Sequence, residues 1–344
     1  MIRLLNDHRE LSILLLTALL FGLFSLTQPG FAGVDTFNLI FKNALVLMVV
    51  AVGAATVILT RGIDVSLGSI LGLSAMSLGL LLQHGVNLAL ALLATLAVGG
   101  LAGLINGLIV TLLQVPPIVA TLGTLGVYRG LTLMLSQGKW IENLPDSLKH
   151  LAQPGILGIP AVAWLAILVL VLIAAFLRFT ALGRSFYATG DNPLGAELLG
   201  IRPRRVQVGA FTIAGLCAAV GGIIFAAQIG FIPSQAGTGI ELRAIAASVI
   251  GGISLLGGVG TVLGAALGSF FLISVDSFLV FLKVPAYWND MVAGLILLVV
   301  LVIDARIRER VSQALRLQRY RNVQETESPG KEDLPESRPQ GEQG

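Results

Sequence analysis

The chain has 344 residues, of which 55% are hydrophobic and 12% charged, with a formal net charge of +3. Its mean hydropathy of +0.89 comes from apolar runs of about 20 residues repeated almost end to end, each long enough to cross a bilayer. That excludes a soluble globular domain. The small basic excess is no sign of nucleic-acid binding either, because the arginines flank the apolar runs, where they determine topology.

In chain order, spans are predicted near 11–28, 38–60, 63–83, 87–113, 118–136, 160–178, 206–228, 243–257, 260–282 and 286–304. The first, Leu11 to Leu26, follows Arg3 and Arg9 and lacks a small-residue cleavage site, so it reads as a signal-anchor span behind a short N-terminal segment, 1–10. Breaks are expected at Gln28-Pro29-Gly30, Arg61-Gly62, His84-Gly85, Val115-Pro116-Pro117 and Gly257-Gly258. The 243–257 run is short and glycine-rich and reads as a half-helix or a full crossing. The fold class is therefore an all-α polytopic integral membrane protein with about ten transmembrane helices.

Basic residues orient it. Arg3 and Arg9 precede the first span, Arg178, Arg184, Arg202, Arg204 and Arg205 surround a polar island, and Arg306, Arg308 and Arg310 follow the last span. Ten crossings put all three clusters on one side, the cytoplasmic one, together with both termini. Gly138 to Pro160 is then an external loop. Residues 11–304 form the transmembrane domain, and 305–344 hold a basic segment and an acidic, Ser/Pro/Gly-containing tail that cannot bury a core.

The island at about 179–205 interrupts the hydrophobic pattern. Asp191 or Asn192 can cap a short helix, Pro193 fits its first turn, and Gly200 stops it. Leu194, Leu198 and Ile201 recur at helical spacing. An amphipathic helix held at the membrane surface is a part that a motor subunit can push. Arg184, Gly190 and Glu197 belong to the same surface.

Polar groups within the spans are the other candidates, because a charge there costs about 2.5–3.5 kcal/mol on insertion scales. Asp64 reads as an interfacial turn with Arg61 or as a gate. Arg129 snorkels to the outer interface or touches a ligand, and Thr121 and Thr124 share its stretch. Asn106 makes an interhelical hydrogen bond or lines a path. Gln228, with Gln235, Thr238, Glu241 and Arg243, belongs to a solvated loop or to an entrance. Glycines such as Gly99, Gly103 and Gly107 offer small-residue faces for helix packing or for sliding. Gly68-Ser-Ile-Leu71-Gly72 and Gly260-Thr-Val-Leu263-Gly264 form a faint internal repeat. The chain has no phosphate-loop motif, no metal-ligand spacing and no Ser/His/Asp set, so no catalytic residue is expected. Cys217, the only cysteine, rules out an internal disulfide.

Several motifs carry a resemblance. Thr60-Arg-Gly-Ile-Asp-Val-Ser-Leu-Gly-Ser69, Pro117-Ile-Val-Ala-Thr-Leu-Gly-Thr124, Tyr128-Arg-Gly130, Gly183-Arg-Ser-Phe-Tyr-Ala-Thr-Gly190 and Gly237-Thr-Gly-Ile-Glu-Leu-Arg-Ala-Ile-Ala-Ala247 resemble the permease subunits of ribose-type ABC importers, over about residues 10–305. Gly138-Lys-Trp-Ile-Glu142, Gly230-Phe-Ile-Pro-Ser-Gln235 and Pro285-Ala-Tyr-Trp-Asn-Asp290 are most similar to members that import autoinducer-2, with ribose or another pentose as the alternative. The resemblance implies two ATP-binding subunits, a second related permease and a periplasmic solute-binding protein as partners. It implies no cofactor on this chain, with ATP hydrolysed by the partner subunits, and it makes the helix at 193–200 the coupling helix. From a different class, an ATP-independent secondary carrier is the alternative. Glu197→Lys or Gly190→Pro is expected to leave insertion intact and lower uptake.

Overall fold

The computed structural model describes residues 9–28, 30–285 and scattered positions from Trp288 to Val302. The bundle belongs to a unit that runs to Leu297; a second unit, Leu298–Gly344, holds three described residues, Leu298, Val299 and Val302, all helical. Arg3, most of the 286–304 span, Asp290, the three arginines after it and the 305–344 tail lie outside the described residues.

The architecture is all-α. In chain order the helices are α1 (Arg9–Thr27), α2 (Val34–Leu59), α3 (Leu67–Gln83), α4 (Leu88–Leu112), α5 (Pro117–Ser136), α6 (Asp146–Lys149), α7 (Ala161–Phe179), α8 (Ala181–Asp191), α9 (Pro193–Leu198), α10 (Pro203–Ile229), α11 (Ile240–Ile250) and α12 (Val262–Phe281). Six of them, α2, α4, α5, α7, α10 and α12, are long and apolar enough to cross a membrane, while α3 and the apolar part of α1 are shorter.

Local chemistry sets the ends. Asn87 caps α4 by accepting from Ala89 N–H, and Thr261 caps α12 by accepting from Gly264 N–H. Pro117 and Pro203 open α5 and α10 at the position where proline is tolerated. Gly230, at φ 79°, ends α10 in the left-handed region.

One predicted span is corrected, and another takes the shorter of its two readings. The 63–83 span starts only at Leu67, because residues 60–66 form a non-helical break with Arg61 at φ 65°. The 243–257 span is α11, with 11 residues, about 16 Å at 1.5 Å per residue, which is a half-helix.

α2 and α10 form the interior. From Ala44 to Leu59 every residue of α2 is buried, as a helix apolar on all sides must be. α10 packs on α4, α2 and α3. Lipid gives helices no hydrophobic reason to associate, so close backbone approach has to hold them together. The α4–α10 contact is a glycine seam: a Cβ on Gly103 would collide with the Phe211 carbonyl, and one on Gly215 with the Gly99 carbonyl. Here the small-residue faces make a packed interface. An aromatic cluster joins α1 to α12, with Phe31 buried edge-on against Phe24 and Phe281.

The two halves of the faint repeat open α3 and α12 after non-helical breaks, 60–66 and 251–261. These breaks touch each other, Arg61 Nε donating to the Leu256 carbonyl at 2.9 Å, and Gly258 N–H donates to the Leu59 carbonyl at the end of α2 at 3.0 Å.

Candidate functional site

The island is helical over most of its length, which the sequence reading gave as a loop with one short helix. Thr180 caps α8 by accepting from Gly183 N–H at 2.8 Å. Phe186 packs edge-on against Phe176 and folds α8 back on α7. α9 follows with the predicted cap: Asn192 Oδ1 accepts from Gly195 N–H at 3.0 Å, Pro193 is its first residue, and Gly200 turns out at φ 78°.

The back of the island is locked to the bundle through backbone. Gly190 is buried, and a Cβ there would strike the Leu59 carbonyl and the Gly258 amide. Arg61 completes the joint. Its Nε donates to the carbonyls of Gly190 (2.6 Å) and Leu256 (2.9 Å), and its Nη2 donates to the Asp191 carbonyl (2.6 Å). Gln207 Nε2 on α10 donates to the Thr60 carbonyl at 3.3 Å. One guanidinium therefore ties the end of α8 to both breaks. A non-glycine residue at positive φ costs of order 1–3 kcal/mol and persists where its surroundings fix it. At Arg61 these carbonyls do the fixing.

The front of the island is bare. Leu194, Leu198 and Leu199 are 76%, 90% and 80% exposed, and Arg184, Asp191, Asn192, Glu197 and Gly200 are exposed too. Ile201, read as part of the greasy stripe, is half-buried.

The polar residues proposed for the path fall in three places. Asp64 and Asn106 meet in one buried network, with Ser66 and Tyr128 as members. Asp64 Oδ1 accepts from Ser66 N–H (2.8 Å) and Ser66 Oγ (2.6 Å), Asn106 Nδ2 donates to Ser66 Oγ (2.7 Å), and Tyr128 OH donates to Asn106 Oδ1 (3.1 Å). Thr121 Oγ1 receives Val65 N–H at 3.2 Å, and the neighbouring Thr124 donates to the Thr121 carbonyl at 3.3 Å. The network knits α4 and α5 to the break before α3. Arg61 and Asp64 form no ion pair: the arginine turns to the island and the carboxylate into the bundle. Arg129 is half-buried and reaches past Gly72 to the Ala236 carbonyl at 2.6 Å. Gln228 is at the far end of α10, donates to the Lys42 carbonyl at 2.9 Å, and lines a cavity of about 510 Å³ with Lys42, Asn43 and Arg243. Arg243 pairs with Asp276 across α11 and α12.

Sequence reasoning missed Ser66, Tyr128, Gln207 and the carbonyl partners of Arg61. Ser66 and Tyr128 lie inside the quoted motifs, so a signal was present for them. The carbonyl contacts leave no trace in residue type.

The comparisons agree on one family. Residues 36–301 match the family described as the branched-chain amino acid transport system / permease component. The chain is 51% identical to the autoinducer 2 import system permease protein LsrC of Escherichia coli (strain K12 / DH10B), over 93% of this chain and 94% of that one. It is 51% identical to the protein of that name from Photorhabdus laumondii subsp. laumondii, over 93% and 96% of the two chains, and 52% identical to that of Photorhabdus luminescens, over 90% and 93%. No solved structure matches the chain. With nearly its whole length covered by the match and by these relatives, the chain belongs to the family of branched-chain amino acid transport system permease components.

Proposed function

We propose that this chain is a permease subunit that carries autoinducer-2 across the bacterial inner membrane, driven by ATP hydrolysed in separate subunits. The substrate rests on 51% identity over 93% of the chain to proteins named for autoinducer 2 import. As a permease component the chain is a multi-pass membrane protein and not itself an enzyme.

The observation that carries the coupling is the two-sided island: a bare apolar front on α9 and a back locked through Gly190 and Arg61. An ATP-binding subunit seated on Leu194, Leu198 and Glu197 would push α9. The joint would pass that displacement to the 60–66 and 251–261 breaks, at the feet of α2, α3, α11 and α12. Four helices would then move from one contact, and the path would change from outward-open to inward-open.

The assembly is two ATP-binding subunits, a second related permease and a periplasmic solute-binding protein, with no cofactor held by this chain. Residues 11–304 form the transmembrane domain in ten crossings, with both termini and the island cytoplasmic. The arginine-rich island and the sparse cations Lys42, Lys139, Lys149 and Lys283 elsewhere support that orientation.

Depletion of external autoinducer-2 by cells with and without this chain, with ribose uptake measured in parallel, tests the proposal. Loss of autoinducer-2 depletion alone is expected. Loss of ribose uptake instead would keep the importer and overturn its ligand. Uptake that survives loss of the ATP-binding subunit but stops with a proton uncoupler would make the chain a secondary carrier.

A further inference from the structure

The stretch between α10 and α11 is not helical, yet it leaves the end of the bundle and runs down along α3. At its start Ile232 bridges to Ile141, and both side chains meet Gly79 in the last third of α3. Further on, the Ala236 carbonyl lies beside Gly72. At its end the Gly237 carbonyl and the Glu241 carboxylate lie against Gly68, in the first turn of α3. From Gly79 to Gly68 is about 16 Å of helix at 1.5 Å per residue, half of a hydrocarbon core of about 30 Å. α11 starts at that depth and completes the crossing. One crossing is thus an extended segment followed by a half-helix.

Irregular backbone at membrane depth survives only where protein buries it or where it lines water. This segment is partly buried: Ile232, Ala236 and Gly237 face inward. Gln235 and Thr238 do not, and both are exposed. The Thr238 hydroxyl donates to the Gln235 carbonyl at 2.8 Å, but the Gln235 amide held out toward lipid tails would be a polar group left unsatisfied, at a cost of several kcal/mol. The nearby charges are tied inward: Arg129 to the Ala236 carbonyl, Arg243 to Asp276, and Glu241 Oε1 to Gly239 N–H at 3.3 Å. What this face offers outward is neutral and hydrogen-bonding.

We infer that Gln235 and Thr238 face the water-filled transport path and are contact points for a small, uncharged, polyhydroxylated solute. The inference rests on the permease reading above and assigns residues that set its selectivity.

A cysteine-substitution experiment on the full assembled transporter tests it. The one native cysteine, Cys217, is buried, so wild type supplies the background. Thr238→Cys is compared with Leu172→Cys, whose side chain on α7 is 58% exposed on an apolar face. A thiol in apolar surroundings stays protonated and inert, whereas one in water ionises and reacts, so a charged water-soluble thiol reagent should label position 238 at least about tenfold faster than position 172. Excess autoinducer-2 should slow labelling at 238 and leave 172 unchanged. Gln235→Leu should lower autoinducer-2 uptake about tenfold, as loss of a polar contact does, with the same amount of assembled protein. Position 238 as inert as 172, or labelled at a rate that no transported solute alters, overturns the inference. If wild type transports ribose and not autoinducer-2, and ribose protects position 238, the path assignment stands and the substrate proposal fails.

Discussion

Gly190 and Leu198 are eight residues apart in one island and sit in opposite surroundings. Gly190 is buried, pressed backbone to backbone between Leu59 and Gly258 and held by Arg61, with no room for a methyl group. Leu198 is 90% exposed on a six-residue helix that touches little of its own chain. A push needs both: a surface free to receive a partner, and a joint stiff enough not to absorb the displacement. Damage to the joint should therefore appear in the protein alone, and damage to the surface only when the partner is present.

The largest effect is expected at the joint. Gly190→Val puts atoms where the Leu59 carbonyl sits, and overpacking of this kind costs about 1–3 kcal/mol or more. The melting temperature of the purified chain in detergent should fall and uptake should vanish; an unchanged melting temperature would break the comparison. The same geometry revises the expectation for Gly190→Pro, whose lost uptake would report a damaged joint and not a lost contact. Arg61→Ala comes next. It removes two donor nitrogens that reach three carbonyls, each hydrogen bond from a charged group being worth about 1.5–3 kcal/mol at most and less at an exposed arginine. Uptake should fall more than stability does, and Arg61→Lys should restore it only in part, because an ammonium cannot reproduce the guanidinium fork.

The surface should behave differently. Leu198→Asp should leave the stability within about 0.5 kcal/mol of wild type, and the melting temperature close to it, as exposed substitutions do. It should weaken co-purification of the ATP-binding subunit and lower uptake. A fall in stability with intact co-purification would move Leu198 to the joint. The smallest effect belongs to Asn192→Ala, which removes the α9 cap at a cost of about 1 kcal/mol. Uptake should drop slightly with no change in global melting.

Much of this island could be read in the residues. The α9 cap, first turn and stop are local chemistry, and Asn192, Pro193 and Gly200 act as expected. The all-helical class and the shortness of α11, stopped by Gly251 and Gly252, were legible for the same reason. The helix α8 was not, because this stretch interrupts the hydrophobic pattern and its packing on α7 leaves no mark in residue type. Arg61 and Asp64, three residues apart with opposite charges, suggested each other; packing sends one to the island and the other to Ser66 and Asn106. The polar residues grouped as one path occupy three sites, since the sequence records depth along a helix far better than which neighbour its face meets. Gln235 and Thr238 read as part of a solvated loop or of an entrance, and only the fold shows that their stretch runs down along α3.

The glycine seam between α4 and α10 has a consequence for how this protein can change over generations. Glycine is the smallest residue, so any substitution at Gly99, Gly103 or Gly215 adds atoms and drives the two helices apart. Drift at this interface runs in one direction, toward widening. A compensating change has to come from side chains opposite that are still able to shrink, such as Ala219 across from Gly99 and Leu216 across from Gly100. Once those are spent, the seam has no further room for inheritance to explore.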